Sequence, residues 1–228
     1  MNIKKNDIVR YLRAEFVAGR SWFDWLFLCL GITIQIIVFS LHPERPLAVV
    51  SGIAGIISVI LCSQGKISTY LFGFVQIITY LILCYEQRLY AEVGMNMFYF
   101  FSQIYGIYVW RKNYSVNEQV AQLQPRRLKP TIMAFVVVPT AIIVSVVVGF
   151  LLKTYTDDTQ PWLDSFTTIP AIIAQILMVL AYKEHWYFWL LIDILSIMMW
   201  INAANWCITA QYAFWCVNCV YGWRKWSK

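Results

Sequence analysis

The sequence predicts an all-α integral membrane protein of about eight transmembrane helices, arranged as 3+1+3. Two parallel three-helix repeats are joined by a linking helix and preceded by one extra N-terminal helix. Three observations predict it. Of 228 residues, 60% are hydrophobic and 13% charged, with a mean hydropathy of +0.60, which does not suit a surface wetted on all sides. The apolar residues fall in consecutive runs of about 20, the length that crosses the hydrocarbon core of a bilayer. The second half of the chain also repeats the first at a nearly constant offset.

The first 21 residues are polar and carry Lys4, Lys5, Arg10, Arg13 and Arg20. The full-length apolar run that follows has no small-residue cleavage site and reads as a retained first span at 22–41. Further spans are predicted at 46–62, 66–85, 90–110, 131–152, 163–182, 185–203 and 205–223. Leu41-His42-Pro43, Ser63-Gln64-Gly65 and Lys183-Glu184-His185 are turn signals in short connections. The one long connection, 111–130, is polar and ends in Pro125-Arg126-Arg127-Leu128-Lys129-Pro130. The chain divides accordingly into an N-terminus with the extra helix (1–45), a first repeat (46–110), a basic linker (111–130), a linking helix (131–152), an extracytoplasmic loop (153–162), a second repeat (163–223) and a tail (224–228). Pro46 and Pro161 suit the first position of a helix, where a missing N–H costs nothing. Pro139 and Pro170 are candidate bend points.

Eight spans place both termini on one side, and that side then holds fifteen of the 18 Lys and Arg residues. The other side keeps Arg45, Arg88 and Lys153 beside Asp157, Asp158 and Asp164. The positive-inside rule therefore puts both termini in the cytoplasm, and one span more or fewer spoils the asymmetry.

Lys66 to Tyr105-Gly106 matches Lys183 to Tyr221-Gly222 at an offset of 117 that becomes 116 after one deletion, and both copies end in Trp-Arg-Lys, at 110–112 and 223–225. The match runs back over the preceding helix, with Ser51-Gly52-Ile53-Ala54 opposite Thr168-Ile169-Pro170-Ala171. Three spans reverse the chain's direction, so a single linking span restores a parallel second copy. Transporters built from such repeats hold substrate near the midplane between them and alternate access around it.

Polar groups at membrane depth are costly, about 2.5–3.5 kcal/mol for a central Asp, and each needs a partner or a wet cavity. Asp193 is the clearest case; the repeat puts Gln76 opposite it and Thr79 opposite Ser196. The third helices carry two stripes, Asn96, Tyr99 and Gln103, and Gln211, Trp215 and Asn218, each within one arc of its helix. Interhelical hydrogen bonding that only fixes packing is the alternative role for these groups. Trp186 and Trp189 begin the helix that bears Asp193; they suit either an interfacial belt or an aromatic wall. One carboxylate, several amides and aromatic faces suit a small, flat, polar and cationic ligand.

At these residues the sequence resembles the PnuC family of bacterial vitamin transporters, its nicotinamide riboside branch most of all. The matching stretches run from Tyr90 to Trp110 and from Trp186 to Lys225, within a resemblance over about 45–223. It implies a fold related to the SWEET sugar transporters and import of nicotinamide riboside by facilitated diffusion without a coupling ATPase. It also implies trapping of the riboside by cytoplasmic phosphorylation and assembly as homotrimers. The substrate-binding positions it carries over are Gln76, Asn96, Tyr99, Gln103, Trp186, Asp193, Ser196 and Asn202, with Gln211, Trp215 and Asn218 as additions. Other branches of the family carry thiamine or flavin-type vitamins.

Competing classes find little support. The net charge of +6 comes from short clusters between apolar runs rather than a folded basic face, so nucleic acid is not expected as a partner. No His-Glu-x-x-His, Gly-x-Ser-x-Gly or Walker pattern occurs, and His42 and His185 fall in predicted connections, which argues against an intramembrane enzyme. The six cysteines sit in apolar stretches and read as small hydrophobes; Cys216-Val-Asn-Cys219 lacks the further ligands a metal would need, and no cofactor is expected. A sensor should carry a signalling domain. A passive channel differs in giving linear rather than saturable flux.

Overall fold

A computed structural model describes residues 12–17, 20–41, 45–86, 88, 90–116, 121–157, 160–202 and 206–227. Among them are eight long helices: α1 (Trp22–Leu41), α2 (Pro46–Ser63), α3 (Thr69–Glu86), α4 (Tyr90–Lys112), α5 (Pro130–Tyr155), α6 (Pro161–Val179), α7 (His185–Asn202) and α8 (Trp206–Ser227). Five of them, α1, α2, α3, α5 and α6, are long and apolar enough to cross a membrane. The other three are of similar length but carry the Tyr, Trp and amide residues singled out above. The chain forms two compact units, one ending at Pro125 and including Arg224–Lys228, the other running from Arg126 to Trp223.

Helix starts follow local chemistry. Pro46, Pro130 and Pro161 each occupy a first-turn position. α1 opens with a reciprocal cap, in which the Ser21 N–H donates to Asp24 Oδ2 (2.7 Å) and the Asp24 N–H to Ser21 Oγ (3.3 Å). Residues Met133–Val137 form a π-helical turn inside α5 just before Pro139, the place where a proline in a helix interior disrupts the regular i to i−4 bonding.

Two expected span boundaries are corrected by one motif. The span predicted at 66–85 begins at Thr69, and the one predicted at 163–182 ends at Val179. α2 closes with Gly65 in the left-handed region (φ 67°), its N–H donating to the Cys62 carbonyl (2.9 Å) while the Lys66 N–H reaches Leu61 O (2.9 Å). α6 closes the same way on Ala181 (φ 61°), with Ala181 N–H to Met178 O (2.9 Å) and Tyr182 N–H to Leu177 O (2.8 Å). Both are Schellman caps, which satisfy terminal carbonyls and turn the chain sharply.

The linker departs from an all-α expectation. Tyr114–Val116 (β1) and Ala121–Leu123 (β2) pair as an antiparallel hairpin. In the first unit this hairpin and the 12–17 segment seal the turn after α2. Glu15, 1% exposed, accepts the Ser68 N–H (2.8 Å) and the Tyr114 hydroxyl. Lys66, 3% exposed, donates to the carbonyls of Ala14 (3.0 Å) and Ala121 (2.8 Å). Burial pushes the Lys66 ammonium below its usual pKa, and the Glu15 carboxylate opposes that shift. Behind the turn, Trp110 meets Tyr70 and Trp226 edge-on, and Trp226 Nε1 donates to Cys62 O (3.0 Å).

The second unit is built on Ala141, Ala174, Leu177 and Phe188, flanked by Met133, Val137, Ile173 and Trp189. His185, expected in a connection, is instead the first residue of α7 and fully buried with its ring on Trp186; the Schellman turn at Ala181 brings the chain back into a helix earlier than the polar Lys183-Glu184-His185 run suggests. His42 lies outside the described residues.

Candidate substrate site

In the first unit the polar side chains divide between two helix contacts. Gln76 of α3 lies against α2, where its Cγ would stand 3.2 Å from a Cβ added at Gly55, and its carbonyl accepts the Ser51 hydroxyl (3.2 Å). Thr79 turns its hydroxyl back to the carbonyls of Val75 and Gln76. On α4, Asn96, Tyr99 and Gln103 continue into Gly106 and Trp110 on one arc. Asn96 is buried and donates to Glu92 O (2.8 Å). Tyr99 is partly buried beside Phe98. Gln103 is buried against Gly73 of α3, where a Cβ would come within 2.7 Å of its amide, and its Oε1 has no hydrogen-bond partner.

In the second unit the contact between α7 and α8 carries the charged group. Asp193, 8% exposed, accepts a hydrogen bond at Oδ2 from the Cys219 thiol (3.3 Å). One turn beyond Asp193, Ser196 is buried on the same arc. Nearer the start of α7, Trp186 is 3% exposed and lies against Gly222, while Trp223 Nε1 donates to the Tyr187 hydroxyl (2.9 Å). On α8, Gln211 and Trp215 are partly buried, and Asn218 is fully buried with neither amide atom hydrogen-bonded. Such orphaned amides are rare in native interiors and mark places where water or a ligand completes the bonding.

Asn202 stands apart from Asp193. Nine residues at about 100° each put it on the opposite side of α7. There it lines a cavity of about 440 Å³ with Gln160, Leu163, Leu195, Met198 and Met199. Among the described residues no group of three His, Cys, Asp or Glu side chains is placed to hold a metal ion.

Cys219 is the residue that reading the cysteines as inert apolar fillers overlooks. The signal was present: the offset of 116 that pairs the two Tyr-Gly dipeptides sets Cys219 opposite Gln103.

Comparison with known proteins bears on these features together. The chain is 33% identical to the nicotinamide riboside transporter PnuC of Haemophilus influenzae, over 95% of both chains. It is 30% identical to the protein of the same name in Neisseria mucosa, over 95% of this chain and 85% of that one. A crystal structure of the vitamin B3 transporter PnuC superposes with a TM-score of 0.78 at 29% identity, covering 95% of each chain. Residues 45–228 match the family described as nicotinamide mononucleotide transporter. A chain of apolar helices with buried amides and a carboxylate, Asp193, buried between two of them, similar along nearly its whole length to these proteins, belongs to that membrane-spanning transporter family and not to an enzyme family.

Proposed function

We propose that this protein carries nicotinamide riboside across the bacterial inner membrane, by facilitated diffusion with alternating access and with both termini in the cytoplasm. In this reading all eight helices span, residues 46–110 and 163–223 are parallel SWEET-like repeats, and the protein assembles as a homotrimer. The names of the relatives support the substrate. Two features support the repeats: α2 and α6 end in the same cap, and Gly106 and Gly222 each receive a buried aromatic ring.

The observation that carries the choice of riboside over its phosphorylated form is Asp193. Nicotinamide riboside bears a pyridinium cation, which a carboxylate in a low-dielectric setting attracts. The mononucleotide adds a phosphate, yet Lys and Arg occur in the eight helices only toward their ends, at Arg111, Lys112, Lys153, Arg224 and Lys225. A phosphate at the depth of Asp193 would be desolvated without a counter-charge. Gln76, Asn96, Tyr99, Gln103, Ser196, Gln211, Trp215 and Asn218 supply amides, hydroxyls and ring faces for the carboxamide, ribose and pyridinium. Trp186 completes the proposed set; Asn202, on the opposite side of α7 from Asp193, lines the separate cavity beside Gln160 and stands outside it.

The test is calorimetry on the detergent-purified protein with nicotinamide riboside, nicotinamide mononucleotide, thiamine and riboflavin, followed by uptake into proteoliposomes. The riboside should bind tightest, and Asp193→Asn should weaken it roughly 10- to 150-fold, the loss of one charge-assisted contact. Heat from thiamine or riboflavin with silence from the riboside moves the protein to another vitamin. Equal affinity for the mononucleotide removes the charge argument.

A further inference from the structure

We propose that Cys219 is a specificity-determining residue, one that positions the Asp193 carboxylate for the cationic ring of the substrate. The inference deepens the transport reading and rests on it, since it requires that Asp193 meet the substrate. Its basis is one contact and the packing that fixes it. The Cys219 thiol, 4% exposed, donates to Asp193 Oδ2 at 3.3 Å. Among the described residues this is the one side-chain or backbone donor placed on that carboxylate.

A thiol suits the task because it is a weak donor. A carboxylate buried with no donor would be left with both oxygens unsatisfied, at a cost of several kcal/mol. A strong donor such as a guanidinium would neutralise it and cancel its attraction for a cation. The thiol lies between these limits. It holds one oxygen and leaves the negative charge for the incoming pyridinium.

The separation of α7 and α8 is set on the next turns of both helices. Gly222, one turn beyond Cys219, lets the Trp186 ring lie directly on α8, and the bond from Trp223 to Tyr187 pins the same pair of helices. Cys219 is therefore held at thiol-to-carboxylate distance by packing rather than by the hydrogen bond itself. Substituting it should alter what the carboxylate does without unlocking the helices.

The experiment uses the full chain in proteoliposomes and compares wild type, Cys219→Ala, Cys219→Ser, Asp193→Asn and the double variant Asp193→Asn with Cys219→Ala, using labelled nicotinamide riboside. Cys219→Ala should raise KM roughly two- to tenfold with the maximal rate unchanged, the size expected for one net hydrogen bond. Cys219→Ser, which keeps a donor at nearly the same place, should recover most of the affinity. In the Asp193→Asn background, Cys219→Ala should cost nothing further, because its effect passes through the carboxylate. An equal loss in both backgrounds, or no recovery by serine, would make Cys219 a packing residue and overturn the proposal. Should Asp193→Asn weaken transport while Cys219→Ala does not, the proposal fails alone. Undiminished transport by Asp193→Asn brings down the site reading and this inference together.

Discussion

Two glycines in matching positions offer a direct test of how closely the third helix of each proposed repeat approaches the second. A Cβ built on Gly106 would stand 2.4 Å from the Tyr70 hydroxyl oxygen, and one built on Gly222 would stand 2.4 Å from Trp186 Cζ2. Ordinary contacts between such atoms lie near 3.5 Å or beyond, so each ring would have to retreat by about 1 Å. Neither has room, since Tyr70 and Trp186 are each 3% exposed. Over-packing of this kind costs about 1–3 kcal/mol. For a chain of this length that lowers Tm by roughly 2–12 °C. Gly94 is the internal control, because nothing lies within 4 Å of its added Cβ. There, Gly94→Ala should gain up to about 1 kcal/mol in helix propensity and raise Tm slightly. Thermal unfolding in one detergent, followed by tryptophan fluorescence, distinguishes the three variants. Truncating the opposing ring supplies a second check: Tyr70→Phe should recover part of the loss in Gly106→Ala, and Trp186→Phe part of that in Gly222→Ala. If both Gly106→Ala and Gly222→Ala stabilise as Gly94→Ala does, the close approaches are absent and the argument for matched units loses one of its two legs.

Three further substitutions bear on the helix caps and the buried charges. Ala181 pays for a left-handed backbone that glycine adopts freely, so Ala181→Gly should raise Tm by about 1–4 °C, the net of roughly 1–2 kcal/mol of relieved strain and glycine's greater unfolded entropy; a fall would show that the methyl group is needed for packing. Glu15→Gln keeps the shape of the side chain but replaces two charge-assisted bonds, from Ser68 N–H and Tyr114, by neutral ones, and should cost about 1–3 kcal/mol and expose residues 12–17 to protease; unchanged cleavage there would argue that the segment is held by something else. Lys66 has a folded pKa below its unfolded value of 10.5, so the unfolded chain binds more protons in the interval between the two, and stability rises with pH across it and is lost again as pH falls. The Tm of wild type relative to Lys66→Met should therefore climb as pH rises toward 10.5, and a falling difference would mean that the ammonium is better solvated in the folded state than its burial implies.

The helices were legible because the bilayer imposes a length and a composition. The runs read at 22–41, 46–62 and 90–110 each fall within two residues of α1, α2 and α4. The errors sit where turn chemistry overrides hydropathy. Ala181 gives no sequence warning of a left-handed cap, because alanine favours continuing a helix, so α6 ends three residues before its apolar run does. Lys66 looked like the polar start of a span; in the fold it is a buried donor in the turn before one, and the carboxylate that caps that turn comes from Glu15, 53 residues away from its partner Ser68. No local pattern announces a partner at that separation. The hairpin of β1 and β2 was equally silent, being only three residues per strand in a segment whose polarity reads as loop.

The candidate site was legible in kind rather than in arrangement. Counting polar residues at membrane depth finds Asp193, Ser196, Gln103 and Asn218, all of which are buried, but it cannot tell which neighbour each one faces. Helical phase resolves part of this. Asp193 and Ser196 lie 60° apart on α7, whereas Asn202 is half a turn away from Asp193, so a single ligand of riboside size would not reach both by lying along one face of that helix. A set assembled from a resemblance combines the two because a resemblance transfers positions without their directions. The same reasoning gives Cys219 its interest. Judged by residue type it is a small hydrophobe, and four of the other five cysteines give no reason to think otherwise within the described contacts, lying on exposed, buried or partly buried helix faces with no carboxylate bound to them. Judged by position, it lies opposite Gln103 in the repeat and beside the buried Asp193 carboxylate. If the two units descend to a common plan, the polar group that α4 supplies through an amide is supplied on α8 by a thiol that acts through Asp193. The prediction that separates plan from coincidence is Cys219→Gln: an amide there can still donate to Asp193, so a shared role predicts retained riboside binding, whereas loss of binding with a normal Tm would show that the two positions serve different ends.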